Sequence, residues 1–60
     1  PASHISGNVN IGESVLIGTG ACVLQNLKIG ETSKIGAGAV VTRDVDKGIT
    51  VVGIPAQPKN

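Results

Sequence analysis

Seven consecutive six-residue units fill residues 5–46 and constrain the fold more than any other feature of the sequence. In every unit the first residue is Ile or Val, the fourth tolerates a tight turn, and the fifth is small or aliphatic. The first positions are Ile5, Ile11, Ile17, Val23, Ile29, Ile35 and Val41, and the fourth positions are Asn8, Ser14, Gly20, Asn26, Thr32, Gly38 and Asp44. A period of six residues is typical of a parallel β-helix.

Three such units are expected to make one triangular coil, so that residues eighteen apart stack vertically. The predicted inward stacks are Ile5 with Val23 and Val41, Ile11 with Ile29, and Ile17 with Ile35. The fourth residues suit the corners, where a positive φ or a bond from side chain to main chain is needed. The period does not determine the handedness, because crossovers between parallel strands are normally right-handed.

The composition favours a thin and regular core. The 60 residues include no Phe, Trp, Tyr or Met, so Ile and Val must supply most of the apolar contacts. A chain of this length buries a limited surface, and the ends of a solenoid need covering. We therefore expect the chain to depend on partners or to be part of a longer protein.

Charge and cysteine content argue against several classes of protein. The net charge is +1 and the five basic residues are scattered, which disfavours a nucleic-acid-binding protein. No apolar run is long enough to span a membrane, and no secretory leader is apparent. The single Cys22 cannot form an internal disulfide, and no Cys/His spacing suggests a metal site. These features predict a cytoplasmic protein.

The repeat is predicted to end at Asp46, which divides the chain into β-helix coils at 1–46 and a C-terminal strand and capping tail at 47–60. Residues 47–48 predict a turn, residues 49–52 a strand and residues 53–56 a tight bend. Pro55 and Pro58 then prevent regular structure. We expect this tail to fold back over the open edge of the last coil.

Essentially the whole chain resembles the hexapeptide-repeat acyltransferases, the left-handed β-helix family, and the tail is the most specific part. The resemblance is carried by IGAGAVVTRDVDKG followed by ITVVGIPAQP, with Asp46 and Gln57 as mild departures from the family pattern. GNVNIG leading into IGTGACVLQNLKIG is similar to acetyltransferases that modify sialic acid or UDP-linked amino sugars. The resemblance implies an all-β fold, a single-stranded left-handed parallel β-helix with a capping tail.

The same resemblance implies a function. It identifies the chain as the C-terminal part of an acetyl-CoA-dependent sugar O- or N-acetyltransferase. Such an enzyme works as a homotrimer on a sugar or nucleotide-sugar acceptor. In this family a histidine, typically within Ile-Glu-His, acts as general base, for which a neutral imidazole is suited. Matching GNVNIG to the family's unit places that motif upstream of Pro1, so we expect no catalytic residue in residues 1–60 and no turnover by this chain alone.

His4 and Cys22 carry reactive side chains, but the resemblance assigns neither of them a catalytic role. They occupy outward sixth positions one coil apart, with Val40 next in the same ladder. A direct role for His4 and a solvated or intersubunit position both stay open. A Cys/His pair can form a nucleophile. A packed strip explains the alignment more simply, because no third group is present to orient the pair.

The resemblance also implies a binding track for acetyl-CoA. Thr19 and Ala37 are third positions one coil apart, where small residues let the pantetheine arm approach main-chain N–H and C=O groups. Alternatively, small residues at these places only satisfy the corners. Arg43, and more weakly Lys59, are predicted to reach the phosphates of CoA, although a scattered cation is more often simply solvated.

Two other functions on the same fold are disfavoured by the sequence. A protein similar to a γ-carbonic anhydrase needs three histidines around zinc, and this chain has one. A non-catalytic, ice-binding β-helix needs an outward ladder of threonines, whereas Thr19, Thr32 and Thr42 occupy three different repeat positions. The fold alone does not decide among these functions.

Overall fold

Nine short strands, joined by tight corners, wind into a triangular coil in a computed structural model that describes residues 3–59. No helix occurs in this part of the chain. Each of the first seven strands consists of the sixth residue of one unit and the first residue of the next. The strands are β1 (His4–Ile5), β2 (Asn10–Ile11), β3 (Leu16–Ile17), β4 (Cys22–Val23), β5 (Lys28–Ile29), β6 (Lys34–Ile35), β7 (Val40–Val41), β8 (Thr50–Val52) and β9 (Gln57–Pro58).

The strands form three sheets, which are the three sides of the coil. Side 1 has the order β1-β4-β7, side 2 pairs β2 with β5, and side 3 has the order β3-β6-β8-β9. All pairs are parallel except the last, in which β9 runs antiparallel to β8. The predicted vertical stacks are confirmed, since Ile5 pairs with Val23 and Val23 with Val41.

The core lies inside the second and third coils. Ile29 is 2% exposed and Val23 is fully buried, whereas Ile11 in the first coil is 42% exposed. The buried apolar residues are Ala21, Val23, Ile29, Ile35, Ala39, Val41, Val45 and Val51. The one buried polar residue among those described, Ser33, donates its hydroxyl hydrogen to the Gly30 carbonyl at 2.6 Å. Alternating inward and outward side chains therefore give a narrow column of aliphatic residues.

The corners adopt the left-handed conformation that the fourth positions predicted. Positive φ values occur at Asn8, Ser14, Gly20, Asn26, Thr32 and Gly38, and again at Gly48. Thr32, with φ of 58°, is unusual because a β-branched residue rarely adopts this conformation. Stacked corners also interact through side chains, since the amide of Asn8 donates to that of Asn26 at 2.8 Å.

The predicted regular unit at residues 41–46 is wrong. Val45 forms a parallel bridge with Ile29, so it occupies a first position rather than a fifth, four residues after Val41. The six-residue period then resumes two residues out of phase, because Val51 pairs with Ile35 and Gly48 forms the intervening corner. The third coil is thus two residues shorter than the coils before it. The division of the chain at residues 46 and 47 stays a prediction.

The tail folds back along the edge of side 3, but the prediction that Pro55 and Pro58 prevent regular structure is wrong, because Pro58 lies in β9 and pairs with Val51. An edge strand tolerates proline, since its outer side needs no N–H donor.

The main chain of Val40 anchors the turn of the tail: the Val40 N–H donates to the Gly53 carbonyl at 3.0 Å, and the Ala56 N–H donates to the Val40 carbonyl at 2.8 Å. Beyond β9, the Lys59 N–H donates to the Thr50 carbonyl at 2.7 Å. Residues 3–59 include no helix that is long and apolar enough to cross a membrane.

Candidate functional site

Thr19 and Ala37 lie one above the other on a single corner of the coil. We call this the glycine corner. Its first two layers, residues 18–21 and 36–39, join side 3 to side 1, and its last part, residues 53–56, is the turn from β8 to β9 on side 3. The register Ile17↔Ile35 aligns its first two layers, and the Gly38 N–H donates to the Thr19 carbonyl at 2.9 Å. Thr19 and Ala37 are both exposed. The structure therefore brings these two predicted site residues together at the surface.

Successive coils approach each other closely at this corner because Gly18 has no side chain. A Cβ atom at Gly18 would lie 2.5 Å from the main-chain nitrogen of Ala37 and 2.8 Å from the carbonyl carbon of Gly36. Contacts this short with main-chain atoms require glycine. The outward residues of the first two layers of the corner are small, so a ligand can approach the main chain there.

The main chain of Ala37 is left unpaired. At Gln25 and Ala37 the third-position carbonyl has no partner within residues 3–59, whereas at four other third positions it accepts a hydrogen bond from a corner N–H of the next coil. These pairs are Gly7 with Asn26, Glu13 with Thr32, Thr19 with Gly38, and Glu31 with Gly48. Neither the N–H nor the carbonyl of Ala37 has a partner within residues 3–59. One exposed donor and one exposed acceptor on the same residue suit a secondary amide.

The Gly53–Ala56 turn explains why Ala37 stays unpaired. In a regular coil, the N–H of Ile54 would face the Ala37 carbonyl, as the N–H of Gly48 faces Glu31. Instead Gly53 adopts a φ of 93° and the turn bonds to Val40 on side 1. The Ile54 side chain is 76% exposed as a result. Sequence reasoning missed this feature, because the signal in Gly-Ile-Pro is only that a bend occurs there.

Arg43 is not on the glycine corner. It is exposed on the corner at residues 42–44, which joins side 1 to side 2. It also lines a cavity of about 230 Å³ at the C-terminal end of the coil, together with Asp44 and Gln57. Val41 contributes to the lining of this cavity from the core. The structure thus separates Arg43 from Ala37 across side 1 but places it at the end of the coil.

The ladder of His4, Cys22 and Val40 is confirmed by the pairing on side 1. His4 is exposed and Cys22 is half-buried with a free thiol. Neither side chain makes a hydrogen bond within residues 3–59. The described part of the chain also contains no group of three His, Cys, Asp or Glu residues placed to hold a metal ion. The pair therefore lacks the oriented contacts of a catalytic dyad.

The chain belongs to the bacterial transferase hexapeptide (six repeats) family, whose model matches residues 3–43. Comparison with curated protein sequences gives no significant match. The prediction of an all-β, left-handed parallel β-helix of the hexapeptide-repeat acyltransferases is confirmed.

Solved structures of acetyltransferases match nearly all of the chain. The acetyltransferase domain of PglB from Neisseria gonorrhoeae FA1090 is 49% identical with a TM-score of 0.96; the match covers 98% of this chain and 29% of that one. PerB from Caulobacter crescentus, in complex with CoA and GDP-perosamine, is 40% identical with a TM-score of 0.98; the match covers 100% and 29%. The PglB domain has also been solved in complex with acetyl coenzyme A. Our chain spans less than a third of the length of these relatives.

Proposed function

We propose that this chain forms the C-terminal part of an acetyl-CoA-dependent sugar acetyltransferase. The glycine corner carries the proposal, because it presents the unpaired N–H and carbonyl of Ala37 on a surface of small residues. The identity to PglB and PerB supports it, since structures of both contain CoA or acetyl-CoA. The presence of GDP-perosamine in the PerB complex supports a nucleotide-linked sugar as the acceptor.

In this proposal the pantetheine arm of acetyl-CoA lies along the glycine corner, past Thr19 and Ala37. Main-chain N–H and carbonyl groups can pair with an amide of the ligand directly. Because the neighbouring side chains are small, the pantetheine arm can come close to the main chain of the coil. The free donor and acceptor of Ala37 pair with one amide of the arm. Arg43 lies across side 1 from this track, so the nucleotide end of CoA must turn over the C-terminal end of the coil, where Arg43 supplies a permanent positive charge for the phosphates.

The chemistry needs a general base, which we place outside residues 1–60. The base takes a proton from the acceptor hydroxyl or amine as that atom attacks the thioester carbonyl. The tetrahedral intermediate then collapses with cleavage of the C–S bond, and the CoA thiolate takes the proton back from the base. His4 does not fit the role of base, because it is exposed and no described residue orients its ring. A main-chain N–H is the group that we expect to stabilise the tetrahedral oxyanion.

Acetyl-CoA binding tests the proposal directly. In isothermal titration calorimetry the protein is expected to bind acetyl-CoA with one site per chain, because each chain carries one glycine corner. In the full protein, which carries the general base, addition of a nucleotide-linked amino sugar is then expected to release free thiol, measured with a chromogenic thiol reagent; residues 1–60 alone are expected to show no turnover. Titration with acetyl phosphate, which lacks the pantetheine arm, is the control and should show no binding. Failure to bind acetyl-CoA at millimolar concentration would refute the proposal.

We further propose that the protein is a homotrimer that packs through side 1. The outward residues of side 1 include no Asp, Glu, Lys or Arg; they are His4, Ser6, Cys22, Leu24, Val40 and Thr42. Leu24 is 44% exposed there. By contrast, side 2 carries Lys28, and side 3 carries Lys34. An apolar, uncharged side suits contact between copies, and cyclic symmetry is the usual arrangement of such contacts.

Sedimentation equilibrium is expected to give three times the mass of one chain of the protein. Leu24→Asp should shift the protein toward monomer, since it places an unpaired charge in the proposed contact. Leu16→Asp is the matched control, because Leu16 is 62% exposed on side 3. A wild-type monomer would contradict the trimer. Dissociation by Leu16→Asp alone would instead show that side 3 forms the contact.

A further inference from the structure

Asp44 lies in the segment at which the third coil is two residues shorter than the second. Ile29 stacks on Ile11 at a spacing of eighteen residues, whereas Val45 stacks on Ile29 at a spacing of sixteen. A shortened coil must still satisfy the hydrogen bonds of the coil above it, because a main-chain N–H without a partner is costly. Asp44 lies in the segment where the coil is two residues shorter, next to the N–H of Lys28 that needs an acceptor.

The Asp44 side chain replaces a main-chain acceptor. In regular parts of the coil, the N–H of a sixth-position residue donates to a main-chain carbonyl of the next coil, as from Asn10 to Leu27 at 2.9 Å and from Cys22 to Ala39 at 2.8 Å. At Lys28 the acceptor is instead the Oδ1 atom of Asp44, at 2.9 Å. The Asp44 carboxylate therefore replaces the main-chain carbonyl as the hydrogen-bond acceptor for the Lys28 N–H in the shortened coil.

Arg43 precedes Asp44 in the segment between Val41 and Val45. The main chain of Arg43 makes no hydrogen bond within residues 3–59. Its neighbours are held on both sides. The Val41 carbonyl accepts from the Leu24 N–H at 3.1 Å; beyond Arg43, the Asp44 carboxylate accepts from the Lys28 N–H at 2.9 Å and the Val45 N–H donates to the Lys28 carbonyl at 2.9 Å. If the Asp44 bond is removed, the segment between Val41 and Val45 keeps one anchor fewer, and Arg43 can occupy many more conformations.

We propose that Asp44 is a positioning residue that holds Arg43 toward the phosphates of acetyl-CoA. This inference rests on the proposed function and extends it to a residue that does not itself touch the ligand. Arg43 and Asp44 are consecutive in the chain and both line the cavity at the C-terminal end of the coil.

Electrostatics and positioning predict opposite signs when Asp44 is replaced. A carboxylate beside a phosphate site repels the ligand, so charge alone predicts that both Asp44→Ala and Asp44→Asn tighten binding. Positioning predicts that Asp44→Ala weakens binding. It also predicts that Asp44→Asn leaves binding nearly unchanged, because the amide oxygen of Asn can still accept from the Lys28 N–H.

The test compares dissociation constants for acetyl-CoA, measured by calorimetry on the full protein. We expect Asp44→Ala to raise the Kd for acetyl-CoA about tenfold, which corresponds to the loss of one charge-assisted hydrogen bond from Arg43 to a phosphate. The Kd of Asp44→Asn should stay within about twofold of the wild-type value. Asp46→Ala is the matched control, since Asp46 is also exposed but its carboxylate makes no hydrogen bond within residues 3–59. It should not raise Kd.

Two further measurements separate positioning from a general loss of structure. S-acetylpantetheine lacks the nucleotide phosphates, so its Kd should be the same for the wild type and for Asp44→Ala. In an Arg43→Ala background, Asp44→Ala should cause no additional loss of acetyl-CoA affinity. Equal weakening toward both ligands, or full additivity with Arg43→Ala, would overturn the inference while leaving the proposed function intact. A wild-type protein that does not bind acetyl-CoA would overturn both.

Discussion

Replacement of Ala37 by Trp is expected to abolish the binding of acetyl-CoA. Ala37 is exposed and its main-chain N–H and carbonyl are free within residues 3–59, so an indole at this position covers the groups that the pantetheine arm needs. Loss of two hydrogen bonds at about 0.5–1.5 kcal/mol each, with the apolar contacts around them, corresponds to a rise in Kd of about a hundredfold or more. Calorimetric titration measures this directly.

Glu31→Trp provides the matched control for this experiment. Glu31 is also an exposed third-position residue of the second coil, but it lies on the corner between sides 2 and 3. Its carbonyl is already paired with the Gly48 N–H at 2.9 Å. We expect this variant to bind acetyl-CoA like the wild type and to unfold at a similar temperature. If Ala37→Trp binds acetyl-CoA without loss, the glycine corner is not the site.

The six-residue pattern predicted most of the fold because each position has a strict physical requirement. An inward first position must be apolar, and a corner with positive φ favours Asn or Gly, so errors of register are penalised at every unit. The pattern failed between Val41 and Val45. Both Val45 and Asp44 fit the regular unit and the shortened one equally well. Only the pairing with Ile29 and the bond from Lys28 to Asp44 distinguish the two.

The site was predictable only in part, for a related reason. The sequence predicted Thr19 and Ala37 as neighbours, because residues eighteen apart stack in a regular coil. It did not predict the free main chain of Ala37, since that depends on how the Gly53–Ala56 turn bonds to Val40. The register did place Arg43 on a different corner, because Arg43 follows Val41 whereas Ala37 follows Ile35. The shortened path of residues 42–44 was not predicted, because it depends on the pairing of Val45 with Ile29.

Gly18→Ala and Gly7→Ala are expected to change stability in opposite directions. A Cβ atom at Gly18 would lie 2.5 Å from the nitrogen of Ala37, which belongs to the main chain of the next coil and cannot rotate away. The two coils must separate, which strains the bond from the Gly18 N–H to the Ile35 carbonyl at 2.8 Å. Overpacking of this kind costs about 1–3 kcal/mol of unfolding free energy.

Gly7 offers the matched comparison, because a Cβ atom there meets nothing within 4 Å and its φ is not positive. Alanine at this position restricts the unfolded chain without strain in the folded one, so it should stabilise the protein by about 0.4–1 kcal/mol. Chemical denaturation followed by circular dichroism, at one fixed protein concentration, measures both changes. Equal effects at the two glycines would mean that coil spacing at the glycine corner is not limited by main-chain contact. The close approach of the coils beside Ala37 would then limit the choice of residue at position 18 less than the structure indicates.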